Sequence, residues 1–270
     1  VECLLVRRRS GGTECWVALL RQSKRTRVGQ RVLFDEGRCE GEVTAVREDG
    51  SAEVTFARLP GGDFLAWVEG FGETPLPPYI ARPEGERDFD RERYQTVYAE
   101  PRGSVAAPTA GLHFTPTLLA ALERAGFERR FVTLHVGPGT FRPVRADAVD
   151  DHVMDEEHVV LEAETVDAIA QAKTEGRPVI AVGTTTVRAL EGAAARGPLT
   201  PGRFATGLFI KPGFPFRVVD GLITNFHLPR STLLMLVSAL AGRERMLAAY
   251  HHAVAKEYRF YSYGDAMLIR

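Results

Sequence analysis

The spacing of hydrophobic residues changes between the first and second parts of the chain, and this change constrains the fold most. Up to about residue 57, short runs of β-branched and aromatic residues alternate with turn pairs such as Gly11-Gly12 and Asp49-Gly50. That spacing favours a small antiparallel β-barrel or sandwich. From Tyr94 onward, helical stretches of ten or more residues alternate with short apolar strands. This second pattern predicts an α/β domain.

Prolines and charged residues separate the two patterns. Prolines at positions 75, 77, 78 and 83 precede a charged stretch at 84–93. This composition is typical of a domain boundary. We therefore predict a small antiparallel β-barrel module at 1–75, a linker at 76–93 and an α/β domain at 94–270. The apolar run at 178–183 is typical of a buried parallel strand. The sheet of the second domain is thus expected to be mostly parallel.

Capping residues locate two helices of the second domain. Thr115 and Pro116 open a predicted helix at 115–125, which Gly126 ends. A second predicted helix at 165–175 is closed by Gly176. Helices that follow strands place functional loops at the carboxyl ends of those strands.

Composition narrows the class of protein. The 270 residues are 44% hydrophobic and 26% charged, with a formal net charge of −1. This composition is typical of a globular protein. The near-zero net charge excludes a simple nucleic-acid coat protein, which carries a large charge of one sign. No apolar run approaches the roughly 20 residues of a membrane span. The three cysteines form no CxxC pair, so they predict neither a disulfide framework nor a zinc site and favour the reducing cytoplasm.

Basic residues are concentrated in the first part of the chain. Residues 3–34 carry eight Arg or Lys and a single acid, Glu14. A basic face on a small β module either binds RNA through its phosphates or protects a solvated strand edge by charge. The candidate RNA contacts are Arg21, Lys24, Arg25, Arg27 and Arg31.

Two kinds of polar residue lie at predicted strand ends. Residues 183–186 read Gly-Thr-Thr-Thr between an apolar strand and a predicted helix, where backbone N–H groups can bind an anion or a ribose. The alternative is a purely structural role as a capped helix start. The segment also lacks the lysine of a P-loop. His113, His135 and His227 lie in loops at three strand exits. They could move protons near neutral pH or serve as structural groups.

Acids and two histidines are grouped at residues 150–158. Such a group could ligate a metal ion. A solvated turn with one or two functional carboxylates is the favoured interpretation, because the acids share no single face and the chain offers no matching second cluster. No metal site is predicted.

Six collinear segments of the chain resemble one family. They are LPPYI (76–80), YQTVYAEPRGSVAAPTAGLHFT (94–115), VTLHVGPGTFRPV (132–144), AVGTTTVRALE (181–191), VVDGLITNFHLPRSTLLMLVSALAG (218–242) and YRFYSYGDAMLI (258–269). Together they are similar to the S-adenosylmethionine:tRNA ribosyltransferase-isomerase family of the queuosine pathway. The resemblance runs through the predicted α/β part in order.

The resemblance implies an unusual use of S-adenosylmethionine. The ribosyl part, and not the methyl group, is transferred to the aminomethyl group of 7-aminomethyl-7-deazaguanine at the tRNA wobble position. The products are epoxyqueuosine-tRNA, adenine and methionine. S-adenosylmethionine is consumed as a substrate, so no cofactor and no metal are implied. We expect a monomer in the cytoplasm, with tRNA as its partner and no association with membranes.

Roles within this reaction follow from the resemblance as hypotheses. The proton-transfer set comprises His113, His135 and His227, and the basic cluster of the β module is assigned to tRNA. The substrate-binding set comprises Thr184, Thr185 and Arg188 for the ribose or the methionine carboxylate, Glu191 and Asp265 for the amino group or sulfonium, Phe141 or Tyr263 for adenine or the cation, and Asn225.

The chain departs from the family pattern at three places. Asp155 stands where the family usually has a histidine, and Gly207 stands where it commonly has an aspartate. Family members also normally begin with a segment of the α/β domain that precedes the β module, which would make the module an insertion; that segment is expected to be missing here. These departures keep two alternatives open: a non-catalytic tRNA-binding relative, and another nucleoside-handling enzyme on the same scaffold.

Overall fold

A computed structural model describes residues 2–9, 14–21, 25–58, 62–77, 79–80, 87–137, 154 and 156–270. The chain divides into two compact units. The first covers residues 1–91 and 103–105, and the second covers 92–102 and 106–270. Each unit has its own hydrophobic core.

The first unit is built on a five-stranded antiparallel sheet with the order β1-β2-β5-β4-β3. Its strands are β1 (Cys3–Arg8), β2 (Glu14–Leu20), β3 (Arg31–Phe34), β4 (Cys39–Val46) and β5 (Ala52–Arg58). The hairpin between β4 and β5 turns at Gly50, whose φ of 83° favours glycine. Asp49 supports this turn by accepting a hydrogen bond from the backbone N–H of Ser51 at 2.9 Å.

Helix α1 (Phe64–Phe71) belongs to the first unit. Asp63 caps it by accepting hydrogen bonds from the backbone N–H groups of Leu65 and Ala66. Phe64 is buried in the core of the unit, where its ring lies 4.4 Å from that of Phe56. The strands predicted for this part are confirmed. The closed barrel is not, because β1 and β3 are the two edges of an open sheet and no pairing joins them in the described residues.

The second unit contains two three-stranded sheets. Their orders are β11-β10-β8 and β6-β7-β9. The strands are β6 (Thr133–His135), β7 (Glu157–Leu161), β8 (Ile180–Val182), β9 (Gly202–Thr206), β10 (Gly221–Asn225) and β11 (Ala266–Ile269). β8 and β10 are parallel, whereas the β10–β11, β6–β7 and β7–β9 pairs are antiparallel. The prediction of a mostly parallel sheet is therefore wrong for the described residues.

Helices complete the α/β composition of the chain, and α5 packs against strands of both sheets. They are α3 (Pro116–Arg124), α4 (Ala163–Thr174), α5 (Thr184–Ala194), α6 (Thr232–Ala241) and α7 (Arg243–Ala255), while α2 (Arg87–Arg93) spans the boundary between the units. Thr115 caps α3 by accepting a hydrogen bond from the N–H of Leu118, as predicted. Val187, Leu222 and Val237 are fully buried in the core between helices and sheet. In the part of the chain that the structure describes, no helix is both long and apolar enough to cross a membrane.

Candidate functional site

The carboxyl end of β10 lies beside the turn that follows β8. Gly183 directly follows β8 and has a φ of 89°, a value that favours glycine. Its N–H donates to the carbonyl of Ile223 at 2.9 Å. A Cβ on Gly183 would lie 3.9 Å from the Cβ of Ala110. The short 3-10 helix Thr109–His113 therefore lies next to this turn.

Asn225, the last residue of β10, connects this strand to that 3-10 helix. Its side chain is buried, with 3% of its surface exposed. The Oδ1 atom accepts a hydrogen bond from the Thr109 hydroxyl at 3.1 Å, and Nδ2 lies 3.1 Å from Nε2 of His113. The fold thus brings together residues of two sequence motifs that are more than a hundred positions apart.

His227 is held by a second set of contacts just after β10. Its Nε2 lies 3.0 Å from the hydroxyl of Thr224, and its backbone N–H donates to the hydroxyl of Tyr250 at 2.8 Å. Burial lowers the pKa of His227 to about 4 and raises the pKa of Tyr250 to about 12. His227 is therefore a neutral imidazole near pH 7, able to accept a proton or a hydrogen bond.

His135 belongs to the other sheet of the unit. It is the last residue of β6 and stands in register with His158 of β7. The structure thus anchors His113 and His227 to consecutive residues of β10, Thr224 and Asn225, and places His135 on a separate strand.

The threonines predicted to bind substrate form the start of α5. Thr184 is its first residue and is buried, while Thr185 is half-buried. The hydroxyl of Thr186 donates to the carbonyl of Val182 at 2.8 Å. Gly183, the residue before the helix, has no side chain that could cap it, so the backbone N–H groups of the first turn are the groups with which this helix start could bind an anion.

Arg188 is engaged inside the second unit. Its side chain is buried and forms an ion pair of 3.1 Å with Oε1 of Glu157, and its Nε donates to the carbonyl of Leu208 at 3.0 Å. The predicted contact of Arg188 with a substrate carboxylate stays a prediction.

Glu191 also faces the protein interior. Its side chain is 1% exposed. One oxygen accepts hydrogen bonds from the backbone N–H groups of Val218 and Val219 at 3.0 and 2.9 Å, and the other accepts from that of Arg217 at 3.0 Å. The carboxylate therefore fixes the segment that leads into β10. Its predicted contact with a sulfonium or an amino group stays a prediction.

Two further predicted residues shape the loop before β11. Asp265 accepts a hydrogen bond from the backbone N–H of Arg259 at 2.7 Å and lies 3.6 Å from its guanidinium. The ring of Tyr263 packs edge-on against Tyr94 with centroids 5.7 Å apart. Phe141 lies outside the described residues, as does Asp155.

The basic cluster of the first unit is interleaved with acids. Arg21 lies 3.6 Å from Glu2, and Arg31 lies 3.1 Å from Glu40. Arg25 and Arg27 are exposed, and Lys24 lies outside the described residues. Surface ion pairs are weak, contributing about 0–1 kcal/mol each, so these arginines remain able to contact phosphates. Among the described residues, no group of three His, Cys, Asp or Glu is placed to hold a metal ion.

Comparison with known proteins identifies the family. The sequence profile described as queuosine biosynthesis protein matches residues 1–269. The chain belongs to this family. It is 52% identical over 273 residues to the S-adenosylmethionine:tRNA ribosyltransferase-isomerase of Citrifermentans bemidjiense, which covers 100% of this chain and 77% of that protein.

Other members of the queuosine biosynthesis protein family agree with this match. The Thermus thermophilus protein of the same name is 53% identical over 277 residues, again over 100% of this chain and 77% of its own length. A crystal structure of the S-adenosylmethionine tRNA ribosyltransferase from Thermotoga maritima has 32% identity, with coverage of 99% of this chain and 74% of that chain and a TM-score of 0.49. The predicted family, pathway and enzyme class are confirmed by the sequence matches.

Proposed function

We propose that this chain transfers and isomerises the ribosyl moiety of S-adenosylmethionine onto 7-aminomethyl-7-deazaguanine at the tRNA wobble position. Epoxyqueuosine-tRNA, adenine and methionine are the products. The observation that carries this proposal is the match to the queuosine biosynthesis family over residues 1–269, together with relatives at 52–53% identity over the whole chain.

The reaction needs three things from the protein. A base removes a C5′ proton made acidic by the sulfonium, an acid assists the departure of adenine, and the substrate amine is held at the ribose C1′. His113, His135 and His227 are the proposed proton-transfer set. Burial lowers the pKa of His227 to about 4, so its ring carries no extra proton near pH 7 before the reaction begins.

Substrate binding is proposed for the polar groups around the β8 and β10 ends. The amino-terminal turn of α5, with Thr184 and Thr185, suits the ribose or the methionine carboxylate because its N–H groups and partial positive charge favour oxygen ligands. Tyr263 offers an aromatic ring for adenine or the sulfonium cation. Glu191, Arg188 and Asp265 support the site through the contacts they make within the protein.

The remaining features of the proposal concern partners. The arginines at 21, 25, 27 and 31 would contact tRNA phosphates, which predicts that binding weakens as salt rises. S-adenosylmethionine is consumed as the ribosyl donor, and the proposed chemistry calls for neither a cofactor nor a metal ion. We further propose that the protein acts as a monomer in the cytoplasm.

The test is a single-turnover incubation of the purified protein with S-adenosylmethionine and tRNA that carries 7-aminomethyl-7-deazaguanine. Mass spectrometry of the digested nucleosides and of free adenine should show epoxyqueuosine and adenine in equal amounts. His227→Ala should abolish both products, whereas the matched control His251→Ala, on the exposed face of α7, should form them normally. A folded protein that binds tRNA and yields neither product would instead be a non-catalytic tRNA-binding relative.

A further inference from the structure

We infer that Thr109 and Asn225 are positioning residues that hold His113 in its Nδ1-protonated tautomer, which makes His113 a hydrogen-bond donor in the site and excludes it as the base. This inference rests on the proposed function for the reaction in which His113 takes part. The tautomer itself can be measured without any turnover.

The three side chains form one hydrogen-bonded row. The Thr109 hydroxyl donates to Oδ1 of Asn225 at 3.1 Å, and Nδ2 of Asn225 lies 3.1 Å from Nε2 of His113. Thr109 and His113 are the first and last residues of one 3-10 helix, and Asn225 ends β10. The helix therefore carries both ends of the row, and the strand holds its middle.

The orientation of the buried amide decides the tautomer. A carboxamide presents an acceptor oxygen on one side and a donor NH₂ group on the other. Because the Thr109 hydroxyl donates to Oδ1, the NH₂ group of Asn225 faces His113. An amide nitrogen can only donate, so Nε2 of the imidazole accepts, and the proton of the neutral ring resides on Nδ1. Asn225 is 3% exposed, and buried polar groups of this kind keep their hydrogen-bond partners.

This tautomer restricts what His113 can do. The lone pair of Nε2 is taken up by Asn225, so a proton cannot be accepted there while the amide keeps its orientation. The nitrogen that carries a hydrogen is Nδ1, which can donate a hydrogen bond to an oxygen or nitrogen atom of the substrate. The base that removes the C5′ proton is then sought among His135 and His227, and His113 orients or polarises the substrate.

Two amide substitutions at position 113 distinguish a donor from a base. The side-chain amide of asparagine occupies the place of Nδ1, whereas that of glutamine occupies the place of Nε2. We expect His113→Asn, which keeps a donor at the δ position, to lower kcat by about 10-fold, and His113→Gln to lower it by about 100-fold, within the range of one catalytic group. Equal losses of 100-fold or more in both variants would show that His113 acts as the base that removes the C5′ proton, and would overturn the inference.

Nitrogen NMR measures the tautomer directly. In protein with ¹⁵N-labelled histidine, long-range ¹H–¹⁵N correlation should show an Nδ1–H ring whose signals disappear in His113→Asn. Asn225→Asp places a carboxylate oxygen against Nε2 and should convert the ring to an Nε2-protonated form. Thr109→Val removes the hydroxyl that orients the amide and should give a mixture, whereas Thr109→Ser should keep the Nδ1–H tautomer.

The outcomes separate this inference from the proposed reaction. An Nε2–H ring in the unaltered protein overturns the inference even if epoxyqueuosine is formed. An Nδ1–H ring in a protein without turnover supports the positioning and leaves the reaction refuted. In an active protein, Asn225→Asp should lower kcat with little change in KM for S-adenosylmethionine, and a loss confined to KM would show that Asn225 contacts the substrate instead. Circular dichroism of each variant establishes that it is folded.

Discussion

Replacement of Glu191 by glutamine tests how the segment before β10 is held. The substitution keeps the size of the side chain and one acceptor oxygen. That oxygen can still accept from the backbone N–H groups of Val218 and Val219, but the new NH₂ group then faces the N–H of Arg217. A donor thus meets a donor in a fully buried site.

The magnitude follows from the bonds that change. A hydrogen bond to a charged group contributes about 1.5–3 kcal/mol, and a buried donor left without an acceptor costs about 1–3 kcal/mol. One such bond is lost and the other two lose the carboxylate charge. We therefore expect Glu191→Gln to lower the free energy of unfolding by about 3 kcal/mol, and Glu191→Ala, which removes all three bonds, by about 5 kcal/mol.

Urea unfolding near neutral pH, followed by far-ultraviolet circular dichroism, measures this loss. The matched control is Glu164→Gln, an exposed carboxylate on α4 whose removal should change the free energy by no more than about 0.5 kcal/mol. Hydrogen exchange should also quicken at the amides of residues 217–219 in Glu191→Gln. If that variant is as stable as the control but binds S-adenosylmethionine weakly, the carboxylate faces the substrate and the structural argument is refuted.

Three further predictions concern other parts of the second unit. The pKa of His227 lies at about 4 instead of the usual 6.5, so between these pH values the unfolded chain binds a proton that the folded protein does not. The free energy of unfolding should therefore fall by up to about 3 kcal/mol as the pH drops from 6.5 to 4. Urea titrations of His227→Gln should lack this fall, and parallel pH curves for the two proteins would disprove the prediction. Glu157→Gln removes the carboxylate charge from the buried ion pair with Arg188 and should cost about 3 kcal/mol in thermal or urea unfolding. Replacing both residues by leucine and methionine should recover much of the loss, and a cost below about 1 kcal/mol would contradict this prediction. In Gly111→Ala the new methyl group would collide with the hydroxyl of Tyr98, so both stability and epoxyqueuosine formation should fall, and adding Tyr98→Phe should restore part of each.

Local structure could be predicted from the sequence because its causes are local. The cap at Thr115, the proline at 116 and the glycine at 126 act within a few residues, and helix α3 begins and ends where they indicate. The same holds for the Asp49-Gly50 turn, whose hydrogen bonds join neighbours in the chain. The pattern of short apolar runs likewise indicated the strands of the first unit and β8 of the second.

Strand partners could not be predicted in the same way. The apolar run at 178–183 indicates a buried strand, and β8 is indeed parallel to β10. However, the run gives no information about the next neighbour of β10, which is the antiparallel β11. The direction of a neighbouring strand depends on the route of the whole chain, so the expectation of a mostly parallel sheet failed at this point.

Side-chain roles in the candidate site show the same limit. The sequence around Glu191 predicts a helix whether its carboxylate binds a ligand or backbone N–H groups, so the sequence cannot distinguish the two. The observed partners are the backbone N–H groups of residues 217–219, which are distant in the chain. Arg188 could equally pair with a substrate carboxylate or with Glu157 until the tertiary structure placed β7 beside it. The polar motifs therefore did not indicate which of their side chains face the protein interior.

The consecutive anchors Thr224 and Asn225 have a consequence for how this enzyme can change over evolution. Because one strand end holds both His113 and His227, a substitution that tilts or slides β10 displaces two groups of the site together. Mutations at the two anchors should therefore show strong epistasis, with combined effects that differ from the sum of the single ones. Adaptive change in substrate preference is then expected to arise in the surrounding loops, while the end of β10 accepts few replacements.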